Sequence, residues 1–357
     1  MIAELIIDNA KDKEIIFWGG WDNIELIREV EQKKKIKFVT SSSENVKKNL
    51  KVEHITTLLG KSDMYYIVIF PKETQAIRDM FVRFGYSEDN LFFVHHKPIL
   101  VQKDGRDKYG NVTRGVEKYG YKVRCYFEGY GGNVNLGDEI NITSKLKISI
   151  GNEAIVSVAD GVKFYEDFSI LARNLNQNKC SRIKVGERCS FNRGRISSFS
   201  GKINLNNDST FGNNFMCACT YGMSVDIGSD CMFSHEIYVL AGDGHTLYDT
   251  QGDKVMNSVD SMPKAKKELA IRNHVWVGFR SVILNGTDVG IGSMIGAASL
   301  VKGKYPNNCM IVGNPVKILK KNIAWSRNPV PVDDAKMYEN EVEYYNMTME
   351  EGALYEC

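Results

Sequence analysis

The chain lacks an excess of charge of either sign: 46 lysines and arginines stand against 44 aspartates and glutamates, a formal balance of +2 over 357 residues. No long basic run or stripe accompanies that balance, so neither nucleic acid nor an anionic membrane is a favoured partner. The opening Met1-Ile2-Ala3-Glu4 has no basic character. No apolar stretch approaches the ~20 residues of a spanning helix. These absences predict a cytoplasmic protein with no membrane insertion. The eight cysteines include no Cys-x-x-Cys pair. Cys217-Ala218-Cys219 is the tightest spacing, and Cys189 and Cys231 lie in apolar context, which predicts reduced, mostly buried thiols. A Gly-x-Gly-x-x-Gly fingerprint is missing as well. Trp18-Gly19-Gly20-Trp21-Asp22 is the nearest approach, and glycine there is also an ordinary way to leave a strand.

What is present divides into two halves with different periods. Glu14–Trp18, Ile36–Val39, Tyr65–Phe70 and Leu91–Val94 are short apolar runs that read as strands. Between them lie helical patterns. One is capped by Asp22 and carries Ile24, Leu26, Ile27 and Val30. The other opens at Pro71, runs through Ile77, Met80, Phe81 and Phe84, and stops at Gly85. Strand–helix alternation predicts an α/β, Rossmann-like domain over residues 1–110, a small parallel sheet with helices on both faces.

From about residue 122 helical periodicity vanishes. Ile271, Val277, Ile283, Val289, Ile295 and Val301 recur at a stride of six, and Gly278, Gly290 and Gly296 each follow one of them. Ser281, Thr287, Ser293 and Ser299 stand two residues before successive aliphatics. Such a stride predicts a triangular solenoid: each short strand sends one aliphatic to the axis, turns a corner, and repeats on the next face. Corner glycines or asparagines would supply positive φ, and the small residues would leave room at the axis. Looser hexads (Leu136-Ile142-Ile148; Ile150-Val156-Val162-Phe168; Val185 to Phe191; Ile227 to Phe233 and Val239) extend the solenoid over 122–321. Residues 322–357 form a C-terminal tail, acidic and aromatic from Glu339 to Tyr345.

The solenoid has one informative interruption, an extruded loop over 242–270. It begins Gly242-Asp243-Gly244-His245-Thr246-Leu247-Tyr248-Asp249 and rejoins the hexads at Ile271. A long excursion from a repeat is a common place for function. Attack of a hydroxyl or amine on a thioester needs a base that is neutral near pH 7, and histidine, ordinarily near pKa ~6.5, is the usual one. Asp243, two residues away, would share a face with His245 in an extended segment.

Four segments in order carry a resemblance: Gly242 to Asp249, His274-Val275-Trp276-Val277-Gly278, Ile295-Gly296-Ala297-Ala298-Ser299-Leu300-Val301, and Val312-Gly313-Asn314-Pro315-Val316-Lys317. Together they resemble the hexapeptide-repeat O-acetyltransferases of bacterial sugars and capsular or lipopolysaccharide glycans. The match is specific over roughly residues 225–325, looser from 122 to 224, and absent from the N-terminal half. The resemblance implies a left-handed parallel β-helix and acetyl-CoA as co-substrate. It further implies a sugar or glycan acceptor and a homotrimer with acyl-CoA between neighbours. By it, His245 is the general base, Trp276 the active-site tryptophan, and Gly278 with Ala297 and Ala298 the track for pantetheine. Lys302, Lys317 and Lys320 fall at or near positions that meet the CoA phosphates. Two departures stand out: Lys302-Gly303 replaces the usual Thr-Lys, and Val316 replaces alanine after Gly-Asn-Pro.

Two other functions fit the layout. An N-acetyltransferase could hold an amino-sugar nucleotide in the N-terminal domain, and a non-catalytic nucleotide-sugar scaffold could keep the fold alone. Intact His245 and Trp276 speak against the scaffold. His235, His245 and His274 lack the ligand spacing of a metal-dependent β-helix enzyme, so no metal is expected.

Overall fold

The computed structural model describes residues 2–20, 23–40, 52–175, 180–252, 254–258, 260 and 262–327. The described chain forms two compact units. The first takes residues up to 100, then 105–112 and 127–132; the second takes 101–104, 113–126 and the described residues from 133 onward.

In the first unit, β1 (Glu14–Trp18), β2 (Ile36–Thr40), β3 (Val52–His54), β4 (Tyr65–Ile69) and β5 (Leu91–Phe93) form a sheet in the order β3-β2-β1-β4-β5. Every pairing is parallel. Strands buried on both faces read as unbroken apolar runs, and all five residues of β4 are buried. Helices α1 (Ile2–Ala10) and α2 (Ile24–Glu31) bring Ile6, Ala10 and Val30 against Phe17, Tyr66 and Val68 on one face. On the other, α3 (Gln75–Arg83) and a 3-10 turn at Ile55–Leu58 pack Phe81, Ile55 and Leu58 on Ile16, Ile67 and Ile69.

Two expectations change here. Helix α3 starts at Gln75, not at Pro71, because Thr74 supplies the cap: its hydroxyl accepts from the Ile77 N–H at 3.3 Å. Helix α1 and strand β3 were not anticipated, and three residues are too few for β3 to show a period. The expected cap Asp22 lies outside the described residues, and Asn23 occupies the N-cap of α2.

The second unit is a left-handed parallel β-helix. From Val123 onward, short strands rotate through three sheets, and each strand pairs in parallel with the one a coil later. The first face holds strands such as Gly194–Phe199, Tyr238–Ala241 and Val282–Leu284. The second holds Ser224–Ile227 and Glu268–Ile271, and the third Met232–Phe233, Trp276–Val277 and Cys309–Gly313. All six aliphatics of the strict stride are buried at 0–1% exposure, so the hexad is the inward position. Along the third face the inward column is aromatic in the earlier coils. Phe164, Phe191, Phe211 and Phe233 stack with centroids 5.2, 4.6 and 4.9 Å apart. Val277, Ile295 and Ile311 continue the column.

The register slips between the looser hexads come from strand length. First-face strands are six residues long at Phe168–Arg173 and Gly194–Phe199 but only two at Leu300–Val301. The glycines that directly follow the aliphatics have a purpose other than positive φ. Gly290 has ordinary φ, but a Cβ on it would lie 2.4 Å from the Asn307 nitrogen of the next coil. Close approach of stacked backbones therefore selects glycine. Positive φ falls, as expected, on other corner glycines such as Gly161, Gly286 and Gly292 (φ 66–79°), and also on Asp230, His274, Arg280, Ala298 and Asn308 (φ 53–59°). The small buried residues also do more than leave room. Ser281 donates to the Gly296 carbonyl at 2.9 Å, Thr287 to that of Val301 at 3.1 Å, and Ser293 to that of Pro306 at 3.1 Å. Those hydroxyls tie each coil to the next.

Candidate active site

The excursion leaves the first face after Ala241 and returns to the second at Glu268, since Glu268–Ile271 already pairs in the ladder with Ser224–Ile227. It is therefore shorter than the expected 242–270. Within it, Tyr248–Asp249 and Lys254–Val255 form an antiparallel ribbon, and Lys264–Lys267 a single helical turn. His245 is exposed, and its ring has no hydrogen-bond partner among the described residues. Asp243 does not bond that ring; its Oδ2 accepts from Asn257 Nδ2 at 3.0 Å. Asn257 was not foreseen, and no spacing rule marks it.

Trp276 sits on the third face. Its neighbour Val277 points to the axis, so alternation turns Trp276 outward, between Met232 and Met294 on adjacent coils. Its ring lies 6.1 Å from that of Trp325. Gly278, Ala297 and Ala298 meet at the corner that leads from the third face to the first. A Cβ on Gly278 would stand 2.7 Å from the Ala297 nitrogen, and the Ala298 N–H donates to the Phe279 carbonyl at 2.7 Å. Ala297 and Ala298 are exposed, leaving a smooth strip of backbone. Lys317 and Lys320 are exposed on the strand Val316–Lys321, which doubles back antiparallel beside Cys309–Gly313. Lys302 lies elsewhere, at the corner between first and second faces, as does the excursion.

The candidate residues thus fall into two groups. His245, Asp243 and Lys302 mark one corner of the prism. Gly278, Ala297 and Ala298 mark another, with Trp276 and Lys317 on or beside the third face. Within one chain, His245 and the strip leave the prism at different corners.

The other two histidines are engaged in the framework. His235 Nδ1 accepts from the Asn213 N–H at 2.8 Å. His274 is buried, with Nδ1 2.6 Å from Asp230 Oδ2 and Nε2 3.1 Å from the Trp325 carbonyl. Its ring stacks on Trp325 at 4.1 Å. Arg327 completes this cluster, donating to Asp230 Oδ1 at 2.6 Å and to the Cys231 carbonyl at 2.9 Å. Burial alone would raise the Asp230 carboxyl, but hydrogen bonds from His274 and Arg327 outweigh it and hold it below the usual aspartate value. The first residues of the tail are thereby strapped to the third face. Neither Trp325 nor Arg327 was foreseen, and the expected aromatic stretch Glu339–Tyr345 lies outside the described residues. Among the described residues, no group of histidine, cysteine and carboxylate side chains is placed to hold a metal ion. Burial pushes the Cys219 and Cys231 thiols up to about 12, so neither is a nucleophile near neutrality.

No protein-family model matches the chain. It is similar to a polysialic acid O-acetyltransferase of Escherichia coli O1:K1 / APEC, 35% identical over 132 residues, 37% of this chain and 40% of that protein. It is also similar to WbbJ of Escherichia coli K12, named for lipopolysaccharide biosynthesis O-acetyl transfer, 31% identical over 102 residues, 28% and 50% of the respective chains. The chain therefore spans half or less of the length of these relatives. Among solved structures, the polySia-specific acetyltransferase NeuO superposes with a TM-score of 0.53 at 25% identity, covering 62% of this chain and 99% of that one. No helix among the described residues is long and apolar enough to cross a membrane.

Proposed function

We propose that this chain, a left-handed β-helix protein similar to polysialic acid and lipopolysaccharide O-acetyltransferases, is itself an acetyl-CoA-dependent O-acetyltransferase of a sugar hydroxyl in a bacterial surface glycan or its precursor. The observation that carries the reading is His245: an exposed imidazole whose ring has no hydrogen-bond partner among the described residues, on a long excursion of a β-helix that superposes on an acetyltransferase. Acetyl-CoA would supply an acyl group already activated as a thioester. The exposed strip at Ala297 and Ala298 suits a slender pantetheine chain, and Lys317 and Lys320 suit its phosphates.

His245 takes the proton from the acceptor hydroxyl as that oxygen bonds to the acetyl carbon, then returns it to the departing sulfur. The Trp276 side chain lies on the outer side of its strand, and its indole N–H is suited to donate to the oxygen that gains charge, a modest electrostatic contribution. Asp243, held by Asn257, braces the loop beside the base.

A homotrimer joins the two groups of residues. The base and the donor strip occupy different corners of one prism, so they meet only if one chain's corner faces another's. The first face has the surface for such a contact. Met216, Tyr238, Val282 and Leu300 form one outward column, with Tyr238 and Leu300 exposed at 40% and 37%. A contiguous apolar patch on a repeat prism marks an association surface, and cyclic closure covers it. Light scattering at micromolar concentration tests this point; an active monomer would refute it.

The test of the function is CoA thiol release from acetyl-CoA against a panel of sialylated and neutral glycans, free sugars and amino-sugar nucleotides. Turnover with a glycan hydroxyl is expected. Turnover with the amino-sugar nucleotides alone would instead support N-acetylation. One feature favours keeping them in the panel: the strand order of the first unit reverses between β1 and β4, where open α/β sheets commonly hold ligands. Gly19-Gly20 lies at that point, although Gly20 has a packing reason, since its Cβ would stand 2.4 Å from the Phe70 ring.

A further inference from the structure

Among the described residues, few contacts around His245 hold the excursion. Residues 242–247 belong to no strand, and a two-stranded ribbon is marginal on its own. Leu247, Tyr248 and Met256 are exposed at 54%, 69% and 66%, so no core fixes the segment. One side chain gathers it. Asn257 Oδ1 accepts from the Leu247 N–H at 2.8 Å, while its Nδ2 donates to the His245 carbonyl at 2.7 Å and to Asp243 Oδ2 at 3.0 Å. The Leu247 N–H can only donate, which fixes the orientation of the amide. Both amide donors and the carbonyl are then in use, and the contacts fall two residues before His245, on His245, and two residues after it. The Met256 N–H also donates to the Leu247 carbonyl at 2.8 Å, closing the ribbon next to this amide.

We propose that Asn257 is the positioning residue of the general base, a latch that sets the backbone from which the His245 imidazole projects. This rests on the reading of His245 as the base. Only a carboxamide meets two acceptors and one donor at once. Aspartate is the same size but would turn an acceptor toward the Asp243 carboxylate and the His245 carbonyl, so repulsion replaces two of the three bonds.

The test compares Asn257→Asp and Asn257→Ala with the parent in the full chain. Both variants should lower kcat on the order of 10–100-fold, because a displacement near 1 Å can cost about 10²-fold. The acetyl-CoA KM and the melting temperature should stay in place, since donor strip and ladder are untouched. The pH at which kcat/KM rises should also stay, because the base is still present. Deuterium exchange at the Leu247 amide should quicken in both. Unchanged kcat, unchanged Leu247 exchange, or activity lost in proportion to melting would each overturn the latch. If the parent transfers acetyl to no acceptor, the functional reading fails separately. Leu247 exchange, with the His245 ring resonances by NMR, then still decides whether Asn257 holds the loop.

Discussion

The coils of the β-helix and the excursion at 242–267 are held by different means. In a coil, every strand donates and accepts in register with the coils on either side, and stacked side chains such as Phe191 and Phe211 fill the axis. Among its described residues the excursion has a four-residue ribbon, one helical turn and the hydrogen bonds of the Asn257 amide. A ladder is redundant, so losing one contact leaves its neighbours in register. A single amide, as proposed for Asn257, has no such repetition. The contrast places stability in the coils and the proposed base on a segment with fewer contacts, the usual division between scaffold and functional loop.

The strongest test of that division is His245→Ala. We expect a fall in kcat of about 10²–10⁴-fold, the usual contribution of a general base, with thermal melting and acetyl-CoA affinity unchanged. His245→Asn should fail equally, since it cannot accept the proton. A variant that melts normally and keeps most of its turnover would remove His245 from the chemistry.

The converse experiment is in the coil. Phe211→Ala opens the aromatic column between Phe191 and Phe233 and should cost about 3–5 kcal/mol, as buried phenylalanine truncations do. Chemical denaturation measures it. Activity should fall only as far as the folded fraction does; full stability with loss of turnover would invert the comparison.

A smaller effect is expected at the donor strip. Replacing Lys317 and Lys320 together by alanine should raise the acetyl-CoA KM several-fold, with the acceptor KM and melting unchanged, because exposed charges steer a ligand more than they hold a fold. An unmoved donor KM would place the phosphates elsewhere, with Lys302 next to test.

The smallest effect concerns the tail. The Asp230 carboxyl is held below its ordinary value, so its contribution to docking Trp325 and Arg327 is complete above the unfolded aspartate value, ~3.9. It is lost as pH falls through the folded value. An acid titration of Trp325 fluorescence, isolated by subtracting the Trp325→Phe signal, should show a step below about pH 4. Asp230→Asn should abolish that step. A step that persists in Asp230→Asn would assign it to another group.

Much of this was legible in advance, for a reason visible in particular residues. The stride from Ile271 to Val301 is a local pattern repeated on each face, so each copy reinforces the reading, and the structure buries every member. The runs Glu14–Trp18 and Tyr65–Ile69 were equally plain, being strands covered on both sides. His245 was conspicuous because glycine, aspartate and histidine interrupt an otherwise regular repeat. Asn257 was not legible. It lies twelve residues from His245 and meets it only because the ribbon turns the chain back. Trp325 was further out of reach, fifty-one residues from the His274 carbonyl that its indole N–H bonds at 2.9 Å.

By itself, then, the sequence determined the solenoid, its inward column and the place where the chain departs from it, because period and local composition survive without any knowledge of neighbours. The tertiary structure alone decided which corner carries which residue, why glycine follows the aliphatics, and what steadies the excursion and the tail. Those depend on the distance between segments remote in the chain: the 2.4 Å that a Cβ on Gly290 would leave to Asn307, and the 2.7 Å from Asn257 to His245. Such distances exist only once the coils have stacked.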